Sequence, residues 1–387
     1  MSNYNVPWRL VPNRVRGAGG REIDKLRGVE PPVDDHSGSE AWIGSTTRAA
    51  AMGGTDSSGK LSTQGCAEVD LPDGRRVFLF EAIAENPSAV LGAKHLERHG
   101  ENLGVLIKYL DAKEPYLLQA HPTRAFAKQM WDSDFGKEES WYIIGLRDDV
   151  EEPPFILLGF KEGVTRELVE KYYYADDVKA LENLCHKVEV KIGETYFVGG
   201  GVPHALGAGC FVVEVQEPSD ITVVPFRMSA LAKMFAPPPP KPGEPAPPPR
   251  PARPEPDPEA QKLYDERSLG AFIYDGCSES ENLRRWRIPQ KTIREGGWGK
   301  EYYLIGPEQT SYFAFSRLDL NGSVEVLSPG VPRVGIVLEG AGTLKFDGGT
   351  LEVKRGDELF LPYDIPGLTA EGELSLVLCY PEGTPAL

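Results

Sequence analysis

The feature that most restricts how this chain can fold is a weak internal repeat. Glu189-Val190-Lys191-Ile192-Gly193-Glu194 returns as Glu352-Val353-Lys354-Arg355-Gly356-Asp357. In the first copy five residues separate Gly193 from Gly199-Gly200-Gly201, and His204 follows after two more. In the second copy five residues separate Gly356 from Pro362-Tyr363-Asp364, and Gly367 follows after two more. Both copies read as a tight hairpin between two strands of a small barrel, with the glycines permitting the turn. A side chain entering the barrel from the second strand is His204 in the front copy and nothing in the back copy. The pattern predicts two barrels, of which only the front one keeps a ligand.

A proline-rich stretch separates them. From Pro237 to Pro258, 13 of 22 residues are proline. Proline lacks the backbone donor that a ladder needs, so the stretch reads as an extended spacer. The chain divides into a front part at 1–236, a linker at 237–261 and a back part at 262–387. The back part is nearly all strand by pattern, as in Ser311–Asp319, Val334–Leu338, Gly342–Phe346, Thr350–Lys354 and Leu374–Tyr380. The front part mixes types. Val77–Ala84 and Pro115–Ala120 read as strands; Pro87–Glu97, Thr165–Tyr174 and Asp176–His186 read as helices. The class is mainly β with a few helices in the front part.

Charge and cysteine usage exclude several roles. The 58 acids outnumber the 42 Lys and Arg, a net charge of −16, which disfavours nucleic acid and anionic membrane surfaces. No apolar run nears the ~20 residues of a membrane helix. The charged start of the chain has no apolar signal-peptide core. Five widely spaced cysteines without Cys-x-x-Cys argue against a disulfide framework or zinc ribbon and for buried thiols in a reducing compartment, by default the cytoplasm.

Two of the six histidines stand in metal-like contexts. Gln119 and His121 are two apart on a predicted strand, so they share a face. His204 enters the same barrel from its hairpin. Glu139, in Gly136-Lys137-Glu138-Glu139-Ser140-Trp141, is the natural carboxylate. An amide, two imidazoles and a carboxylate suit zinc or another divalent ion with positions left for substrate. His95 and His99 lie four apart on a predicted helix, but Lys94, Glu97 and Arg98 around them suggest an exposed face, and His36 reads as a surface residue. Trp42 and Trp141 could line a sugar pocket or simply pack.

The hairpins resemble the second cupin motif, G-x5-P-x-G-x2-H, which implies a bicupin with a degenerate back barrel. The front part also resembles the type I phosphomannose isomerases. Leu117-Leu118-Gln119-Ala120-His121-Pro122 resembles L-S-I-Q-V-H-P of that family, and the Gly136–Ile144 stretch resembles G-K-T-E-x-W-Y-I-I. Val202–Gly207 resembles G-T-V-H-A-L-G, and Val213–Asp220 resembles E-I-Q-Q-x-S-D. Glu40–Ser45 and Lys108–Ala112 resemble two further family motifs, in the family's order over about residues 40–227. The resemblance implies that Gln119, His121, Glu139 and His204 hold one zinc. It implies that Lys137 contacts sugar oxygens and that Glu214 and Asp220 are active-site acids. The reaction implied is aldose–ketose isomerisation of mannose 6-phosphate or a related sugar through an enediol, with the base left open among Lys137, Glu214 and Asp220. Oligomeric state is not legible.

Three positions depart from the family. Its arginine, four residues after the Ser-Asp aspartate, falls on Val224, with Arg227 as a shifted substitute. Its phosphate-holding serine is Leu117. Its threonine in G-K-T-E is Glu138, an extra negative charge expected beside an anion site. These departures point to a retained metal site with an altered substrate site, which would suit an unphosphorylated or different sugar. They also leave open a non-catalytic, metal-holding cupin that binds a sugar as a sensor.

Overall fold

The computed structural model describes residues 4–30, 35, 38–49, 62–234, 257–384 and 387. His36 and the proline stretch up to Pro256 lie outside the described residues. The chain is mainly β, and its strands form three sheets. A six-stranded sheet runs in the order Arg287–Ile288, Thr195–Val198, Glu139–Leu146, Cys210–Gln216, Leu106–Asp111 and Glu40–Ile43. A three-stranded sheet of His204–Leu206, Phe155–Phe160 and Cys185–Glu189 lies across from it. Leu110, Trp141, Ile143, Val212, Ile156, Leu158 and Val188 fill the space between the two.

The six-stranded sheet is buried on both faces. Cys210–Gln216 is the clearest case, with all seven residues buried. Its even positions join the inner core and the site described below. Its odd positions, Phe211, Val213 and Val215, pack with Phe315, Val334, Ile336 and Phe360 of the back part. Strands covered on both sides read as continuous apolar runs rather than alternating ones.

The back part supplies most of a ten-stranded sheet, centred on Phe313–Glu325, Thr369–Pro381 and Arg333–Phe346. Hydrogen bonding crosses the expected division at the linker in both directions. Trp8–Leu10 pairs with Glu358–Leu361, placing Trp8 opposite Phe360 with ring centroids 5.3 Å apart. Arg287–Ile288 returns the exchange by pairing with Tyr196 and Thr195 of the front sheet. The sheets therefore do not follow the boundaries 1–236 and 262–387. The segment expected to be linker through 261 is already helical from Pro258, where Asp257 caps a helix running to Gly270.

Other expectations shift for local reasons. The expected strand Val77–Ala84 is strand only over Arg76–Phe78, and Leu79–Glu85 is helix because Glu81 turns back to cap the Phe78 N–H. The expected helix Pro87–Glu97 is broken at Gly92 into Pro87–Leu91 and Ala93–His99. Pro115–Ala120 forms only two bridges, Gln119 to His204 and Ala120 to Val223. The expected helix Asp176–His186 shortens to Val178–Asn183, and Cys185 opens the next strand. The two expected strands Val334–Leu338 and Gly342–Phe346 are one long strand, bulged between Val337 and Glu339. Cys66, Cys185, Cys210 and Cys379 are buried free thiols, and Cys277 is half-buried. Among the described residues no helix is long and apolar enough to cross a membrane.

Candidate metal centre

Three chain segments converge between the six-stranded and three-stranded sheets. His121 follows the Gln119 and Ala120 bridges, Glu139 begins the strand Glu139–Leu146, and His204 begins the strand His204–Leu206. The loop before His204 turns at Gly201, whose φ is +84° and whose N–H donates to the His121 carbonyl at 2.7 Å. A Cβ there would lie 2.9 Å from the Ala271 carbonyl oxygen, so glycine is required on both counts. Lys137 N–H donates to the Pro122 carbonyl at 3.1 Å, which ties the lysine loop to the histidine loop.

The side chains then meet. His121 Nε2 lies 2.9 Å from Glu139 Oε2, and His204 Nε2 lies 3.3 Å from Glu139 Oε1. All three side chains are fully buried, and their donor atoms lie within 4.8 Å of one another. Each imidazole uses its other nitrogen on a backbone carbonyl. His121 Nδ1 is 3.0 Å from the Ile221 oxygen, and His204 Nδ1 is 2.8 Å from the Val202 oxygen. A carbonyl can only accept, so each Nδ1 carries the proton and each Nε2 presents a lone pair. Burial holds His121 neutral, pushing its pKa down to about 4 with Lys137 adding to the effect, and burial likewise lowers His204. Burial alone would raise the Glu139 pKa. Lys137 outweighs it and keeps the group well below the usual carboxylate range.

Two lone pairs and a carboxylate thus face one another away from water. Lys137 Nζ serves one side, at 2.6 Å from His121 Nε2 and 2.8 Å from Glu139 Oε2. His204 Nε2 and Glu139 Oε1 are buried acceptors with no donor between them. Buried acceptors left this way are costly, and a divalent cation is what this donor set accommodates. Gln119 is brought alongside through its backbone, with its N–H donating to the His204 carbonyl at 2.9 Å and His204 N–H returning the bond at 2.8 Å. Directly opposed residues of an antiparallel pair share a face, so its amide leaves on the side of the two histidines.

The acids continue the same sheet face. Gln216 pairs with Glu139, and Glu214 pairs with both Trp141 and Lys108. The Trp141 ring is 5.4 Å from His204 and its indole N–H donates to Glu214 at 3.3 Å. Lys108 Nζ contacts Glu214 Oε2 at 2.7 Å and Gln216 Oε1 at 2.6 Å. Burial would lower the Lys108 pKa, but Glu214, Glu40 and Asp220 raise it, so it stays an ammonium. Asp220 is held in a two-point ion pair by Arg16, at 2.9 and 2.8 Å, and Arg16 also donates to Glu40 at 3.1 Å. Trp42 lies between the two cations, 5.5 Å from the Arg16 guanidinium and 5.1 Å from Lys108 Nζ.

Arg16 was invisible in the sequence because its partner is 204 positions away. Arg227 is placed elsewhere: its guanidinium sits 5.9 Å from the Tyr174 ring on the helical side of the molecule, drawn there by the start of helix Met228–Met234. It does not join the cluster. Leu117 and Val224 pack into the apolar core beneath those helices. Glu138 does not face the site either: its neighbours Lys137 and Glu139 contact His121, and it points back to Thr310 at 2.7 Å. His95 is not on an exposed face. It is 3% exposed, and its Nε2 bonds the Asn102 carbonyl at 2.8 Å.

Known proteins resemble this chain in sequence and in fold. A family model described as the cupin domain of mannose-6-phosphate isomerase matches residues 306–381, in the back part. YvyI of Bacillus subtilis (strain 168), whose assigned name is that of a mannose-6-phosphate isomerase, is 26% identical over 284 residues, covering 73% of this chain and 76% of YvyI. The crystal structure of the mannose 6-phosphate isomerase from Bacillus subtilis superposes with a TM-score of 0.71 at 22% identity, covering 97% of this chain and 99% of that one. A zinc-bound mannose 6-phosphate isomerase structure superposes with a TM-score of 0.67 at 16% identity over 97% and 99%.

Proposed function

We propose that this chain is a divalent-metal-dependent aldose–ketose isomerase of the type I phosphomannose isomerase kind, a reading supported by the match of residues 306–381 to the mannose-6-phosphate isomerase cupin-domain model and by the similarity to YvyI over 73% of the chain. Its substrates are mannose 6-phosphate and fructose 6-phosphate, or a related sugar or sugar phosphate. The observation that carries this reading is the pair of imidazole nitrogens turned on one buried carboxylate, with His204 Nε2 and Glu139 Oε1 lacking any donor.

His121, His204 and Glu139, with the Gln119 amide, would hold one zinc or similar ion. When bound, such an ion orients sugar oxygens and stabilises negative charge on them. The chain's own groups do the rest. A proton leaves C2 to a side-chain base and returns at C1, while the hydroxyl proton of O2 passes to O1. Lys137, beside the ligands, donates to a sugar oxygen. Glu214, held by Lys108 and Trp141, is free of arginine and is the better-placed carboxylate to move the proton; Asp220 is committed to Arg16. Trp141 and Trp42 wall the site and exclude water.

The bicupin organisation goes with this reading. The front barrel carries the site, and the back barrel is its degenerate counterpart, with 237–261 as the connection. Metal content and fructose 6-phosphate formation from mannose 6-phosphate test the proposal together. Zinc bound with turnover supports it, and zinc bound without turnover on any aldose would identify a sugar-binding sensor instead.

A further inference from the structure

The strand that carries Glu139 has a second face, and the back part of the chain holds it. Where the strand begins, Lys137 and Glu139 both contact His121, and Glu138 between them turns the other way. Glu138 Oε2 accepts a hydrogen bond from Thr310 Oγ1 at 2.7 Å. Four residues along, on the outward face of the strand, the Tyr142 hydroxyl accepts from Arg317 at 2.6 Å.

The Glu138 backbone is fixed as well. Its N–H donates to Glu217 Oε1 at 3.1 Å, and Glu217 N–H donates to the Glu138 carbonyl at 3.1 Å. The Glu217 carboxylate is fully buried, and its second oxygen accepts from Arg124 Nε at 2.6 Å. Arg124 in turn reaches Glu382 at 2.7 Å. Thr310, Arg317 and Glu382 all belong to the back part.

We propose that Glu138 and Thr310 are positioning residues for the metal site: the back part sets the direction in which Glu139 and Lys137 leave the strand by holding the residue between them. The inference rests on the metal-site reading above. Its physical basis is that a ligand carboxylate must sit within about 0.5 Å of its working position, so a tie one residue away is felt at the ligand. It also gives the back part, which keeps no ligand of its own, a reason to stay docked.

The experiment measures zinc affinity by competition with a chromophoric chelator, alongside the thermal midpoint of the metal-free protein. Thr310→Val keeps the shape and removes the donor. It should weaken zinc binding about 3- to 30-fold. Thr310→Ser and Glu138→Gln, which keep a donor and an acceptor, should stay within about threefold of the parent. If Thr310→Val folds too poorly to measure, Glu138→Ala removes the same bond from its other end. Ser316→Ala, which deletes a buried hydrogen bond to Tyr380 inside the back part, should lower the midpoint and leave zinc affinity unchanged. Parental affinity in Thr310→Val, or an equal affinity loss in Ser316→Ala, would overturn the proposal while leaving the metal site standing. A parent protein that binds no zinc would overturn both.

Discussion

The segments Gly193–His204 and Gly356–Gly367 share a pattern but lead to different interiors, and neither is the expected hairpin: the strands before and after Gly193 lie in different sheets, and those before and after Gly356 both pair with Arg333–Phe346 rather than with each other. The front one delivers His204 into a pocket of charged and aromatic groups, where Glu139, Lys137, Glu214 and Lys108 are all at most 3% exposed. The back one delivers Gly367, which sits at a φ of +66° with Asp347 Oδ1 2.7 Å from where a Cβ would be. A histidine in that conformation would be strained, so the back part could not ligate a metal through that position. Its interior is instead closed by Leu318, Val337, Leu359, Leu361, Leu376 and Leu378. Among the described residues the one cluster able to hold an ion is in the front part. The contrast teaches that a shared turn pattern does not specify chemistry; the residues facing inward decide whether the space is filled or used.

The largest expected effect that would sharpen this contrast is loss of the ligands. His121→Ala and His204→Ala should each abolish bound zinc and with it turnover, and metal analysis of the purified variants checks this. Lys137→Ala should come next, lowering kcat by ~10²–10⁴-fold while retaining zinc, because it acts on the sugar rather than as a ligand. Turnover assays on metal-loaded protein decide that case. The back part should answer differently. Leu359→Ala or Leu376→Ala should cost about 2–5 kcal/mol of stability by leaving a cavity in a closed core, read by urea denaturation, with zinc affinity unaltered.

A smaller effect concerns acid. Burial pushes His95 down to about 4, and burial also lowers His99, whose ring lies 4.9 Å away. Both fold neutral, and an unfolded histidine titrates near 6.5, so their contribution is complete above about pH 6.5 and is lost as pH falls toward about 4. The urea midpoint should drop over that window, and His95→Gln should flatten it. The smallest effect should come from Arg227→Ala, which lies away from the site and should leave both kcat and KM within about twofold of the parent, since surface substitutions rarely cost more than ~0.5 kcal/mol.

Much of the front part was legible because its chemistry sits in local spacings. Gln119 and His121 share a face through period-two alternation, and the glycine-rich turn pattern after Gly193 announces His204. Glu139 was nameable because its neighbours resemble a known strand. What escaped the sequence was carried by long-range pairing. Arg16 meets Asp220 from the far end of the chain, and Trp8 pairs into the back sheet opposite Phe360. Glu138 was misjudged because a charge next to a ligand looks like part of the site; its side chain turns the other way, where Thr310 receives it. Arg227 was misjudged because a nearby arginine looks like a substitute, and no local rule says that its side chain turns to Tyr174. Pro115–Ala120 fell short of a strand because only two of its residues find ladder partners.

The most direct test of the central claim is X-ray absorption at the zinc edge of the metal-loaded protein. The account predicts a nearest shell of nitrogen and oxygen at about 2.0–2.1 Å with two imidazoles in the outer-shell scattering, reduced to one in His204→Ala if any metal remains. A shell without imidazole, or one containing sulfur, would contradict it.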